Sequence, residues 1–335
     1  MGVRVAVAGA TGYAGGELLR LLSGHPDLDI TAVTGHSSAG ELLGSVHPQL
    51  RSLAHLVVGA TDAASLTDAD LVFLALPHGE SAAIAAHLPA SVKIVDLGAD
   101  HRLQDAAAWT AYYGGAHSGA WTYGLPELPG ARVAIGAADR VAAPGCYATA
   151  VSLALAPLIA AGIADPNDVV VIAASGTSGA GKGAKAHLNA SEVMGEISAY
   201  KVGTHQHVPE IKQATGAASL SMTPLLAPMP RGILATVTAK PLVGGGDAAQ
   251  ALYEIYHDEP FVHVLPDGTW PRTGSTLGSN SCHLQVGYDR DSRRIIAMSA
   301  IDNLGKGAAG QAIQCANLML GLPETTGLAV DGVAP

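Results

Sequence analysis

The chain has few charges, few cysteines and no surplus of basic residues, and each shortage removes a class of protein. Charged residues make up 14% against 48% hydrophobic, which excludes a disordered or fibrous chain and favours a well-buried α/β protein. The net charge of −10 leaves no basic excess to neutralise phosphates, so nucleic acid is excluded as a partner. Anionic small molecules stay open, because a few local cations serve a site on an acidic protein. The three cysteines, Cys146, Cys282 and Cys315, are odd in number and lack CxxC spacing. They read as reduced thiols of a cytosolic protein, with neither a disulfide framework nor a zinc site.

Targeting and membrane signals are missing too. MGVRVAVAGATG runs straight into a strand pattern without the layout of a signal peptide. Residues 141–164 carry no Asp, Glu, Lys or Arg, yet Pro144, Gly145, Pro157 and Gly162 interrupt them and alanine dominates. A buried loop and helix are expected there, and no membrane span. No internal repeat or low-complexity linker is seen. At 335 residues, about two domains are expected.

What is present is a strand–helix alternation over the first third. Val3–Ala8, Ile30–Thr34, Leu71–Leu76 and Ile94–Leu97 read as buried strands, with helices at Gly16–Ser23 and Ser81–His87. Apolar strands separated by helices predict a parallel, doubly wound sheet. After Cys146 the pattern changes. A helix is expected at Tyr147–Ala161 and strands at Val169–Ala174, Ile233–Ala239, His283–Tyr288 and Arg294–Ile301. Neighbouring strands without helices between them predict an antiparallel sheet and an α+β domain. Gly307–Leu320 reads as one helix, ended by Gly321 and Pro323.

GATGYAG, directly after the first strand, spaces Gly9, Gly12 and Gly15 three apart. Such a loop lets backbone amides and a helix N-terminus hold a pyrophosphate, with Thr11, Tyr13 and Ala14 beside the glycines. The second strand ends in Gly35, His36, Ser37 and Ser38; Asp27 and Asp29 precede it, at the wrong end to bind ribose hydroxyls. No acid is there to repel a 2′-phosphate, so NADP is expected, with Ser37 and Ser38 as donors. Leu76-Pro77-His78-Gly79 is a further expected cofactor contact at a strand end.

Cys146 lies in APGCYAT, immediately before a helix pattern. A thiol there feels the positive end of the helix dipole, which favours thiolate, while a small buried cysteine is the plain alternative. Cys282 and Cys315 read as packing residues. THQHVPEI places His205 and His207 on one face if extended, with Glu210 near enough to orient a ring; general acid/base chemistry suits them better than a metal, for want of a third ligand. SGTSGAGK at 175–182 reads as an anion-binding nest without P-loop order. Arg102, after the Ile94–Leu97 strand, would clamp a carboxylate; the alternative is a solvated surface arginine.

Taken together, these segments resemble the N-acetyl-gamma-glutamyl-phosphate reductase family, within the larger group that includes aspartate-semialdehyde dehydrogenase. The matching stretches are GATGYAG at 9–15, LALPHG at 74–79, DLGADHRL at 96–103, YGLPE at 123–127, PGCYATA at 144–150, SGTSGAGK at 175–182, THQHVPEI at 204–211, MPRGIL at 229–234 and DNLGKGAAGQAIQCANLMLGLPE at 302–324. The resemblance implies that Cys146 is the nucleophile and that His207, or else His205, is the acid/base. It implies that Ser178, Gly179 and Asn303 contact the cofactor and that Arg102 faces the substrate. It departs at Gln206, where many relatives carry arginine, and at Ala148, where proline is common. The implied architecture is a Rossmann domain of 1–145 rejoined by a C-terminal segment, 307–335, and an α+β catalytic domain of 146–306. The implied reaction is NADPH-dependent reduction of an acyl phosphate, N-acetyl-glutamyl 5-phosphate, to the semialdehyde in arginine biosynthesis, by a cytoplasmic homo-oligomer, dimer or tetramer. Aspartate-semialdehyde dehydrogenase, a relative with a carrier-linked substrate, and a catalytically dead dinucleotide sensor are the alternatives.

Overall fold

The computed structural model describes residues 2–242, 244 and 247–334. Met1 and Pro335, the outer bounds of the expected first domain, lie outside the described residues. The chain forms two compact units, Met1–Pro144 with Ala308–Leu328, and Gly145–Gly307 with Ala329–Pro335.

The first unit holds a six-stranded sheet in the order β2-β1-β3-β4-β6-β5. Its strands are β1 (Val3–Ala8), β2 (Leu28–Thr34), β3 (Leu71–Leu74), β4 (Lys93–Asp96), β5 (Thr122–Tyr123) and β6 (Arg140–Ala142). Every pairing is parallel. Both faces are buried, which explains the unbroken apolar runs. Val5, Val7, Leu71 and Phe73 enter one core with the helices Tyr13–Leu22 and Gly310–Met319. Ala6, Ala8, Val72 and Leu74 enter the other. The order turns back between β1 and β3, the place where doubly wound sheets leave a crevice at their strand ends.

The second unit holds a seven-stranded sheet in the order β11-β12-β13-β10-β7-β9-β8. The strands are β7 (Ala164–Ser175), β8 (Ser198–Ala199), β9 (Leu220–Leu226), β10 (Ile233–Pro241), β11 (Val262–Val264), β12 (Cys282–Asp289) and β13 (Arg294–Ile301). It is mixed where an antiparallel sheet is expected: β7–β9 and β11–β12 run parallel. Parallel neighbours need a crossover of about a dozen residues, and residues 176–219 and 265–281 supply them.

Helix Cys146–Ala160 is apolar on all sides and buried for most of its length. Pro157 inside it cannot donate to the carbonyl of Leu153. The Tyr256 hydroxyl donates to that oxygen instead, at 2.8 Å. Two C-terminal expectations need correction. The single helix expected from Gly307 is divided: Gly305–Ala309 is a π-helical turn and the α-helix begins at Gly310. The Gly307 amide reaches five residues back, to Asp302 O at 3.0 Å, which sets the wider turn. Residues 329–334, expected with the first domain, group with the second unit. Asn280 N donates to Ala329 O, and the Ser281 hydroxyl donates to Val330 O.

Candidate active site

The cofactor loop of the first unit is shaped by close approach. Gly9 has φ +77°, and a side chain there would meet Ala75 O at 2.2 Å. One at Gly15 would meet Gly9 O at the same distance. Gly12 meets nothing nearer than 3.6 Å and caps helix Tyr13–Leu22. The strand, the turn and the helix are thus pressed together, while the space over Gly12 stays open. Tyr13, Ala14 and Gly15 open this helix, and an α-helix leaves its first amides without intrahelical acceptors. A pyrophosphate fits that cradle. Thr11 packs against Gly35 at the end of β2. Beyond it His36 and Ser37 are exposed and Ser38 is half-buried. His36 Nε2 lies 3.0 Å from the Glu80 carboxylate in the loop after β3. Pro77 of that loop is exposed. Asp100 holds the loop from below, accepting from Gly79 N at 2.6 Å and Ala82 N at 3.0 Å.

Arg102 is only 4% exposed, which excludes a solvated surface arginine. Its guanidinium donates to Ala143 O at 2.8 Å and Leu97 O at 2.7 Å, beyond the ends of β6 and β4. Nearby, Asp96 is buried, with its carboxyl pushed up to about 6 by burial. Its Oδ1 accepts from the Ser81 hydroxyl and Gly98 N, while its Oδ2 has no hydrogen-bond partner.

In the second unit Cys146 is the first residue of its helix and Gly145 the cap, one residue earlier than the sequence pattern suggests. Cys146 is partly exposed, whereas Cys282 and Cys315 are buried. The segment 204–211 is not an extended strand: His207 opens helix His207–Thr215. The signal for a helix was in the sequence, since Pro209 falls in the first turn, where its missing N–H costs nothing, and Gly216 ends the helix at φ +76°. The two rings still meet, through the helix start and not through strand alternation. His205 Nδ1 accepts the His207 amide at 3.1 Å, and the ring centroids are 4.7 Å apart. That bond leaves the proton of a neutral His205 on Nε2. Burial, with Lys201 adding to it, lowers the His205 imidazole to about 4.

Glu210 was expected to orient a histidine ring; its carboxylate accepts from Gly145 N at 2.7 Å. It is fully buried and ties the first turn of one helix to the cap of the other. Tyr147 and Tyr200, which the sequence reading did not single out, complete the cluster. Tyr147 meets His205 at 5.3 Å and His207 at 6.0 Å, and Tyr200 meets His205 at 5.7 Å. The Tyr200 hydroxyl donates to that of Tyr147 at 3.0 Å, which in turn donates to Leu225 O. Burial holds both phenols above their usual range, Tyr200 at about 12. Only the cysteine–tyrosine adjacency and a lone tyrosine upstream of the histidines were there to be noticed.

The 175–182 loop is not an open nest. The amides of Gly176, Thr177, Ser178, Gly179 and Gly181 donate to Gly232 O, Met229 O, Pro230 O, Gly176 O and Ser178 O. The loop is laced to the 229–232 segment, so these five amides are spent on the protein itself. Asn303 joins the two, accepting from Gly232 N at 2.7 Å and donating to the Ser178 hydroxyl at 2.9 Å. Ser178, Gly179 and Asn303 are therefore brought together.

Comparison with known proteins gives a consistent picture. Residues 4–135 match the family model described as semialdehyde dehydrogenase, NAD binding domain, and residues 146–303 the one described as semialdehyde dehydrogenase, dimerisation domain. N-acetyl-gamma-glutamyl-phosphate reductase of Salinispora tropica is 69% identical and that of Acidothermus cellulolyticus 62%, each over the whole of both chains. Among solved structures, aspartate semialdehyde dehydrogenase II of Vibrio cholerae, complexed with ASA, shares the fold at a TM-score of 0.70 and 17% identity, covering 96% of this chain and 98% of that one. Aspartate semialdehyde dehydrogenase with NADP from Candida albicans does so at 0.65 and 16%, covering 96% and 99%. The chain belongs to the N-acetyl-gamma-glutamyl-phosphate reductase family of semialdehyde dehydrogenases, an oxidoreductase family with a nicotinamide-dinucleotide-binding domain.

Proposed function

We propose that this chain reduces N-acetyl-glutamyl 5-phosphate to N-acetylglutamate 5-semialdehyde with release of phosphate, using NADPH, in arginine biosynthesis. The observation that carries the reading is Cys146 at the first position of a buried helix whose cap is held by Glu210, in the unit that also carries the paired histidines. The Cys146 sulfur attacks the acyl carbonyl; a C–S bond forms, the C–O bond to phosphorus breaks and phosphate leaves. The cofactor, when bound, supplies a hydride to the thioester carbonyl carbon. The imidazole that took the thiol proton as Cys146 attacked gives it to the oxyanion on the thioether carbon and takes it back as the C–S bond breaks, the aldehyde forms and the thiolate returns. His207 is the acid/base of this reading, because His205 already spends Nδ1 on the helix start and is held uncharged by burial.

Gly9, Thr11, Gly12, Tyr13 and Ala14 would hold the pyrophosphate, with Pro77 beside them. Ser37 and Ser38 would take a 2′-phosphate, which makes NADP the cofactor of choice. Ser178, Gly179 and Asn303 would serve the nicotinamide half, and Arg102 would supply a fixed positive charge for the anionic substrate. Among the described residues, no helix is long and apolar enough to cross a membrane, in keeping with a cytoplasmic enzyme. The exposed Val170 and Ile172 of β7 suit a self-association surface in a dimer or tetramer.

The test is phosphate-dependent NADP reduction with N-acetylglutamate semialdehyde, run beside aspartate semialdehyde. Turnover of the first substrate, lost in Cys146→Ser with folding and NADP binding retained, is the expected result. Preference for aspartate semialdehyde, or near-normal turnover by Cys146→Ser, would refute the reading.

A further inference from the structure

We infer that the π-helical turn Gly305–Ala309 is a backstop that positions the nucleophile, and that Gly307 is its point of contact. The inference rests on Cys146 being the nucleophile. A side chain built at Gly307 would place its Cβ 2.8 Å from Cys146 Cβ and 3.3 Å from Cys146 Cα. Carbon atoms in ordinary contact stand about 3.5–4.0 Å apart, so any side chain at Gly307 must displace one of the two chains by roughly an ångström. The physical question is which one yields.

The turn is fastened on its other side. Gly305 packs so tightly that a Cβ there would lie 2.2 Å from Ser279 O. Asp302, fully buried, knots the entry: Oδ1 accepts from Leu304 N, Gly305 N and Arg231 Nε, and Oδ2 from Gly278 N at 2.6 Å and the Arg231 guanidinium at 2.9 Å. The Asp302 carbonyl then accepts the Gly307 amide at 3.0 Å, the bond that makes the turn π-helical. A carboxylate with five donors and a backbone contact behind it does not recede, whereas Cys146 is the first residue of its helix. Cys146 is therefore the side that moves. Gly307 is a positioning residue, acting through the cysteine without touching substrate, and the extra residue of the π turn carries the backbone to this contact.

The test is Gly307→Ala in the full chain, with kcat, KM for semialdehyde and for phosphate, and the rate of Cys146 carboxymethylation by iodoacetamide as a function of pH. A displacement of an ångström from attack geometry costs roughly 10- to 100-fold in rate. We expect kcat to fall by that factor with both KM values unchanged, and the midpoint of the alkylation profile to shift. Wild-type kcat together with a wild-type alkylation profile overturns the inference, as does a KM effect alone. If Gly307→Ala does not fold, Cys146→Gly in the same chain removes the opposing Cβ and should restore folding; failure to restore it overturns the contact. Alkylation reads the position of the thiol whether or not it is the nucleophile. A normal rate for Cys146→Ser beside an altered profile for Gly307→Ala would therefore sink the nucleophile reading and leave only the Gly307–Cys146 contact standing.

Discussion

Glu210 accepts the amide hydrogen of Gly145 at 2.7 Å, so the helix that begins at His207 holds the start of the helix that begins at Cys146. A buried carboxylate bonded to a backbone N–H is worth about 1.5–3 kcal/mol. Its removal leaves that amide without its acceptor, beside Cys146. Glu210→Ala should lower kcat and slow alkylation of Cys146. Glu210→Gln, which keeps an acceptor oxygen, should fall between it and the parent. Equal effects from both substitutions would show that charge matters here and the hydrogen bond does not.

Cofactor preference should follow the end of β2. Ser37 is exposed, no acid follows β2 in the 35–38 segment, and the Glu80 carboxylate near it is paired with His36, so NADP(H) should bind more tightly than NAD(H). Ser37→Asp should erase or reverse the preference through charge repulsion, by roughly tenfold or about 1.4 kcal/mol. Titration of both cofactors against both proteins decides it, and equal affinities in the parent would count against the argument.

The histidines separate by pH. An imidazole held at about 4 contributes no limb near neutrality. His207→Asn should therefore remove the near-neutral limb of the kcat profile and lower kcat by roughly 10²- to 10⁴-fold. His205→Asn should keep the limb and act mainly on KM and on stability. The folded pKa of His205 lies below its unfolded value of 6.5, so its contribution to stability is present above pH 6.5 and is lost as pH falls toward 4. Loss of the limb in His205→Asn, with retention in His207→Asn, would exchange the two roles.

Asp96 works in the opposite sense. Its folded pKa, about 6, lies above the unfolded 3.8. Its stabilising contribution is complete below pH 3.8 and is lost as pH rises through 6, because the carboxyl must then ionise in the interior. Asp96→Asn should remove that dependence, on the order of 3 kcal/mol between pH 4 and pH 8. Denaturant unfolding of both proteins across this range is the measurement, and parallel curves would dismiss the effect.

The doubly wound sheet was legible in the sequence because β1, β3 and β4 are buried on both faces, and strands so placed leave unbroken apolar runs between helices. The cofactor loop was legible because backbone crowding at Gly9 and Gly15 admits no side chain. Cys146 stood out through its Pro-Gly turn and the helix after it. The rest depended on partners distant in the chain. Parallel pairing of β7 with β9 needs the crossover at 176–219, which no local period marks. Glu210 sits three residues from His207 in sequence, but one of its oxygens accepts from Gly145, 65 residues earlier. The amides of the 175–182 loop look open to an anion until the 229–232 carbonyls are set against them. Local periodicity and turn chemistry act over a few residues and can be read in order along the chain. Which buried donor meets which acceptor is decided when the whole chain closes, since each must find a partner wherever the packing brings one.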